Sequence, residues 1–270
     1  MKNKLRILIS NLKIKFKLWH EKITEPKNVQ KIYITSIVIA AVFFIGSAIF
    51  GVYVEDYYHA DSDAIYEMMG DDTHITCFTY KDGVTLYKSD DCEPTAGFIF
   101  YPGGKVEHTA YEPLMYELAD RGIVAVLCEM PFNLAVFNMN AADGVREMMP
   151  EITEWYIGGH SLGGSMAASY YANNSDWLSG VVLLASYSTK DISDGRVLSI
   201  YGSLDGVLHL EKYEKNKQNL PSDKIEIIIE GANHAYFGMY GEQKGDGAAT
   251  ISNESQIILT ANYIASFIKE

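Results

Sequence analysis

The sequence predicts an α/β protein: a mostly parallel eight-stranded sheet with helices on both faces, preceded by a transmembrane helix. Three observations carry this expectation. From about residue 60 onward, apolar β-branched runs alternate with helical patterns, as strands joined by helical crossovers do. Residues 32–54 contain no charged side chain, and a bilayer core needs about 20 apolar residues in helical form. The run Gly158-Gly159-His160-Ser161-Leu162-Gly163-Gly164 places a serine between glycines directly after the apolar stretch Trp155-Tyr156-Ile157. That is the pattern of a sharp strand-to-helix turn.

In chain order, residues 1–31 form a basic tail, residues 32–54 the membrane span and residues 60–270 the α/β body. The tail holds nine Lys and Arg against Glu21 and Glu25, a balance of +7; the whole chain carries −13, so the remainder carries −20. An acidic body argues against nucleic acid as a partner. Basic residues crowd one flank of the span and Glu55, Asp56, Asp61 and Asp63 the other. The positive-inside bias then keeps the N-terminus cytoplasmic and exports the body. A cleaved secretory signal fits less well, because the basic region and the apolar run are both too long and no small-x-small cleavage site follows. Within the tail, Leu5, Leu8, Ile9, Leu12, Phe16 and Trp19 recur at helical spacing with Lys13 and Lys17 between them. Two readings stand: a helix lying on an anionic lipid surface, and a solvated tail that only sets topology.

The body reads as strands at 74–80, 84–88, 97–101, 123–128, 154–158, 180–185, 197–201 and 224–230. The first two are joined at Asp82-Gly83, a hairpin signal, so the sheet begins antiparallel. Helices are expected at 110–121, 140–149, 161–173, 208–218 and 252–269, with Gly122 and Pro150 marking two of the ends. Cys77, Cys92 and Cys128 are too few for a disulfide framework. An exported body would permit a Cys77–Cys92 bridge, whereas Cys128 reads as a core thiol. No metal-binding motif is present, and neither a metal nor a cofactor is expected.

A serine hydroxyl becomes a useful nucleophile when a neutral imidazole accepts its proton and a carboxylate holds that imidazole in one tautomer. Ser161 follows the fifth strand, and in an open parallel sheet reactive groups gather at the carboxyl ends of strands. Of seven histidines, His234 follows the eighth strand within Gly231-Ala232-Asn233-His234-Ala235 and is the expected base. Asp205 follows the seventh strand within Gly202-Ser203-Leu204-Asp205-Gly206; its rivals Asp191 and Asp194 read more simply as turn formers. The amide of Leu162, at the start of its helix, is one expected donor to an oxyanion. The other comes from Pro102-Gly103-Gly104-Lys105 after the third strand, with Gly104 chosen and Lys105 as the alternative. Met130, Phe132, Asn133 and Leu134 after the fourth strand, together with the loop at residues 235–247, are candidates for the substrate pocket, against a reading of Met130 and Phe132 as ordinary core.

The chain order Ser161, Asp205, His234 resembles the α/β-hydrolase superfamily. The segments 100–107, 130–137, 158–164 and 230–238 resemble a bacterial subfamily with a dienelactone-hydrolase-like minimal core, from about residue 75 to the C-terminus. That resemblance implies an α/β-hydrolase fold and a serine hydrolase without cofactor, acting on a small-molecule ester or acyl substrate. Dienelactone hydrolases proper use a cysteine nucleophile, and Ser161 departs from them. Only residues 186–196 separate the sixth and seventh strands, which leaves no room for a large lid. The rival expectation is a catalytically idle α/β-hydrolase fold serving as a membrane-tethered binding module; an intact Ser, Asp and His set argues against it.

Overall fold

A helix of thirty residues, α1 (Pro26–Glu55), forms because its middle is unbroken apolar sequence with a mean hydropathy of 2.5. At 1.5 Å per residue it is roughly 45 Å long, enough to cross a bilayer core of about 30 Å. None of its side chains is buried by protein. The structure, a computed structural model, describes residues 11–20, 24–70, 74–80 and 83–270. Residues 11–20 are helical and expose Leu12, Phe16 and Trp19. Leu5, Leu8 and Ile9 of the tail, and Asp82 of the hairpin, lie outside the described residues. Residues from Asp56 to Glu270 form a separate compact unit.

That unit is built on one eight-stranded sheet: β1 (Ile75–Thr79), β2 (Val84–Ser89), β3 (Ala96–Tyr101), β4 (Ile123–Cys128), β5 (Trp155–His160), β6 (Leu178–Leu184), β7 (Val197–Gly202) and β8 (Ile225–Ile229). Their spatial order is β1-β2-β4-β3-β5-β6-β7-β8. β1 pairs antiparallel with β2, and β2 antiparallel with β4, while every later pairing is parallel. The alternation of side chains along a strand divides the core in two. Phe98 and Phe100 of β3 pack on one face with Leu114, Met115 and Leu118 of α3 (Glu112–Asp120) and Ile257, Ala261 and Ile264 of α7 (Asn253–Lys269). Ile99 and Tyr101 pack on the other with Ala167, Ala168, Tyr170 and Tyr171 of α5 (Leu162–Asn174). Burial on both faces explains why the central strands read as continuous apolar runs.

The helices depart from expectation where side chains from elsewhere take over backbone hydrogen bonds. Of the helix expected at 140–149 only one turn, α4 (Val145–Met148), forms. The Tyr101 hydroxyl donates to Met139 O and accepts from Ala142 N–H, and Gly144 adopts φ +80. These replace the i to i−4 ladder. The helix expected from Leu208 begins later, as α6 (Leu210–Asn216), because Asp205 Oδ1 accepts from the amides of Val207 and Leu208. A helix not expected, α2 (Ser62–Met69), is capped by Asp61, whose Oδ1 accepts from Ala64 N–H at 3.1 Å; that cap and the spacing of Ile65, Met68 and Met69 were its available signal. Cys77 and Cys92 are separate exposed thiols and form no bridge, while Cys128 is fully buried, which pushes its thiol up to about 12.

Candidate active site

β5 runs two residues beyond its expected end, so His160 closes the strand and Ser161 sits alone between it and α5. Ser161 has φ 52 and ψ −119, a conformation that costs on the order of 1–3 kcal/mol for a residue with a Cβ. Surrounding bonds hold it there. Its N–H donates to Leu184 O at 2.9 Å, and its carbonyl accepts from Ser186 Oγ at 2.7 Å and Ser165 N–H at 3.2 Å. The flanking glycines are required by close approach. A Cβ on Gly159 would lie 2.5 Å from Tyr101 O, and one on Gly163 would run into the carbonyl oxygens of Tyr101 and Pro102.

The turn after β7 brings Asp205 to His234, the residue that precedes the 3-10 turn Ala235–Phe237 in the loop after β8. Asp205 Oδ2 lies 2.9 Å from His234 Nδ1, and the two side chains are 1% and 2% exposed. Because Oδ1 is already engaged by Val207 and Leu208, the carboxylate has one oxygen for the turn and one for the imidazole. This bond assigns the proton to Nδ1 and leaves Nε2 as a lone-pair acceptor. Nε2 is buried and has no hydrogen-bond partner among the described residues. Ser161 and His234 line one cavity of about 240 Å³. Among the described hydrogen bonds none joins Ser161 Oγ to Nε2, and such bonds are often long before substrate arrives. Asp191, by contrast, accepts from the N–H and Oγ of Ser193 in an exposed turn, which lowers its pKa.

The loop after β3 presents three amides. Gly103 N–H donates to the Tyr111 hydroxyl at 3.1 Å and Lys105 N–H to Asn133 O at 2.8 Å. The amides of Gly104 and Leu162 have no acceptor among the described bonds. Gly104 packs against Leu162, whose Cδ2 would be 2.8 Å from an added Cβ. The Lys105 alternative is therefore occupied.

His160 faces away from the serine. Its Nδ1 lies 2.8 Å from the Tyr111 hydroxyl and its ring is centred 4.5 Å from that of His234. Burial, and then the neighbouring His234, hold its pKa well below 6.5, so it is neutral. The Tyr111 oxygen accepts from Gly103 N–H, which leaves its own O–H to donate to His160.

The candidate pocket residues lie elsewhere. Met130 is 3% exposed within the core, and Phe132 is 53% exposed with φ 58. Asn133, at φ 55, contributes its carbonyl to Lys105. Neither these three nor Leu134 nor the loop at residues 235–247 lines the cavity beside Ser161. That cavity is also lined by Ser165, Ser186, Tyr187, Val207, Leu208 and His209. Ser165 lies in the first turn of α5, whereas Ser186 and Tyr187 follow β6 and Val207, Leu208 and His209 follow β7, so the rule that located Asp205 could have found those five. Among the described residues, no group of three or more His, Cys, Asp or Glu side chains is arranged to hold a metal ion.

The sequence profile of the alpha/beta hydrolase family matches residues 97–258. The chain belongs to that family. Three solved structures are similar in fold. A predicted CIB-like hydrolase from Thermoplasma acidophilum has a TM-score of 0.51 at 13% identity, over 71% of this chain and 98% of its own. A dienelactone hydrolase from Anabaena variabilis has 0.53 at 14%, over 73% and 98%. The protein TT1662 from Thermus thermophilus has 0.53 at 13%, over 73% and 99%. No curated protein matches the chain.

Proposed function

We propose that this chain is a membrane-anchored serine hydrolase that cleaves carboxylic esters, or related thioester and acyl substrates, through an acyl-enzyme. The observation that carries the reading is one cavity shared by Ser161, in its left-handed turn, and by the unpartnered Nε2 of a histidine whose other nitrogen is held by Asp205. Ser161 Oγ attacks the substrate carbonyl carbon while His234 Nε2 takes the hydroxyl proton. The amides of Leu162 and Gly104 hold the oxyanion, each worth about 10²–10³ in rate. The imidazolium then protonates the departing alkoxide or thiolate. Water, deprotonated by His234, attacks the acyl carbon; Ser161 leaves with the proton and the acid is released. Asp205 keeps the imidazole in the productive tautomer throughout. A cavity of about 240 Å³ suits a short or medium acyl group.

A fluorophosphonate probe tests the reading. Covalent labelling of the wild-type chain that disappears in Ser161→Ala supports it, and an unlabelled wild type refutes it. Helix α1 serves as the anchor in this reading, with the body exported. A membrane-impermeant thiol reagent should then modify a cysteine placed at Ser62 and spare one placed at Ser10; the opposite pattern means an inward-facing body.

A further inference from the structure

The loop that follows the turn of His234 contains Gly245-Asp246-Gly247, and the Asp246 carboxylate accepts four backbone hydrogen bonds. Oδ1 takes Gly206 N–H at 3.0 Å, His234 N–H at 3.2 Å and Gly247 N–H at 2.8 Å, and Oδ2 takes Ala235 N–H at 2.8 Å. Three of these donors belong to the two turns that matter most. Gly206 is the neighbour of Asp205 in the turn after β7, and His234 and Ala235 form the turn after β8. A single carboxylate oxygen thus joins the main chain of the acid's turn to the main chain of the base itself. The side-chain bond from Asp205 to His234 runs alongside it, and nearer the strand ends Leu204 N–H donates to Ala232 O and Gly231 N–H to Ser203 Oγ, both at 2.9 Å.

The loop is seated closely enough to act as a clamp. A Cβ on Gly206 would lie 2.6 Å from Gly245 O and 2.9 Å from Gly247 N, so the loop lies directly on the main chain of the acid's turn. From the other side, Asn233 Nδ2 donates to Gly247 O at 2.9 Å, and Thr250 N–H donates to Gly231 O at 2.8 Å. Asp246 makes no contact with Ser161 or with the imidazole of His234 among the described bonds. Hydrogen bonds from amides to a charged acceptor are roughly twice as strong as neutral ones. Few other groups could satisfy amides arriving from two separate turns at once.

We infer that Asp246 is a positioning residue, which fixes the acid turn and the base turn in the mutual geometry that sets His234 beside Ser161. The inference rests on the reading of Ser161, His234 and Asp205 given under the proposed function. Without this carboxylate the bases of the two turns keep the bonds from Leu204 N–H to Ala232 O and from Gly231 N–H to Ser203 Oγ, but among the described bonds their tips, at Asp205–Gly206 and His234–Ala235, are linked by the Asp205–His234 side-chain bond alone, and the imidazole gains freedom to drift. A misplacement of about 1 Å at a reacting group costs on the order of 100-fold in rate.

The test uses the full chain in detergent. It measures the second-order rate of fluorophosphonate labelling, kcat and KM on a chromogenic acetate ester, and the melting temperature. Asp246→Ala should label about 100-fold more slowly, with kcat falling and KM within about twofold of wild type. Asp246→Asn keeps Oδ1 for Gly206, His234 and Gly247 but turns an NH₂ group toward Ala235 N–H; it should recover most of the loss, to within about tenfold of wild type. Asp246→Ala labelling at the wild-type rate overturns the inference, as does a loss that resides wholly in KM. Where Asp246→Ala does not fold, Asp246→Asn decides: slower labelling at unchanged KM supports the clamp, and a wild-type rate overturns it. A wild-type chain that is not labelled at all refutes the hydrolase reading and the clamp together, whereas a labelled wild type with an unaffected Asp246→Ala refutes the clamp alone.

Discussion

Gly163→Ala separates the geometry of the elbow from ordinary helix preference. Gly163 lies in the first turn of α5, where helix propensity alone favours alanine over glycine by about 0.8–1.0 kcal/mol. The added methyl, however, meets the carbonyl oxygens of Tyr101 and Pro102 far inside the 3.0 Å that real Cβ atoms respect. Relief requires the start of α5 and the end of β3 to separate by the better part of an ångström. Forced overpacking of this kind costs about 1–3 kcal/mol, so the balance is a net destabilisation of up to about 2 kcal/mol. For a body of this size that is a fall of a few degrees in melting temperature, at about 2–4 °C per kcal/mol. The larger effect is on chemistry. Leu162 and Gly104 lie on opposite sides of the gap that opens, so the two amides proposed to hold the oxyanion move apart, with a loss of on the order of 100-fold in labelling rate. Thermal denaturation and fluorophosphonate kinetics on the same preparation check both numbers. A variant that melts at or above the wild-type temperature and labels at the wild-type rate would refute the argument that close approach fixes this residue.

Three further outcomes follow from the same contacts. Asp205→Asn should preserve the bonds to Val207 and Leu208 yet present an NH₂ group to Nδ1, which moves the imidazole proton to Nε2; labelling should drop by about 10³–10⁴ with little change in melting temperature. His160, neutral and held well below 6.5 when folded, binds a proton more readily in the unfolded chain. Its contribution to stability is therefore complete above pH 6.5 and is lost as pH falls below that value, by up to about 1.4 kcal/mol per pH unit. Urea midpoints between pH 7.5 and about 5 should fall less steeply in His160→Asn than in wild type, and equal slopes would count against this assignment. Arg196 Nη1 donates to the Tyr156 hydroxyl and Nη2 to Phe267 O, both at 2.9 Å, with its guanidinium 4.8 Å from the Phe267 ring centre. Arg196→Lys keeps the charge but loses the planar fork, and should cost about 1 kcal/mol in thermal denaturation; an unchanged melting temperature would show that the fork contributes nothing.

The sheet was legible because each central strand is buried on both faces and must be apolar throughout, so its boundaries differ from expectation by at most two residues. Helix lengths were less so. The pattern over 140–149 is periodic, and Ala142 and Val145 are indeed buried, but periodicity reports only which side chains face inward. It is silent on a tyrosine hydroxyl from β3 that takes the local backbone bonds. The same limit applies to the candidate site. The glycines around Ser161 and the turns of Asp205 and His234 follow from local chemistry and strand order. The bridging carboxylate of Asp246, in contrast, depends on which loops meet in space.

In the proposed reading, much of what prepares this site for reaction is main chain. Ser161 is held through its own N–H and carbonyl, the base's turn through the amides of His234 and Ala235, and the acid through bonds to Val207 and Leu208. The two amides left without an acceptor, those of Gly104 and Leu162, point to the same conclusion from the opposite direction. Both residues are partly exposed, and in the proposed reading their amides are left for a substrate oxygen that acquires charge beside them. Preorganisation of this kind needs no rearrangement at the moment of reaction. It also constrains which changes the site tolerates. Side chains lining the cavity can vary with the substrate, whereas a Cβ added at Gly159 or Gly163, or a carboxylate removed at 246, disturbs the frame on which every reacting group depends.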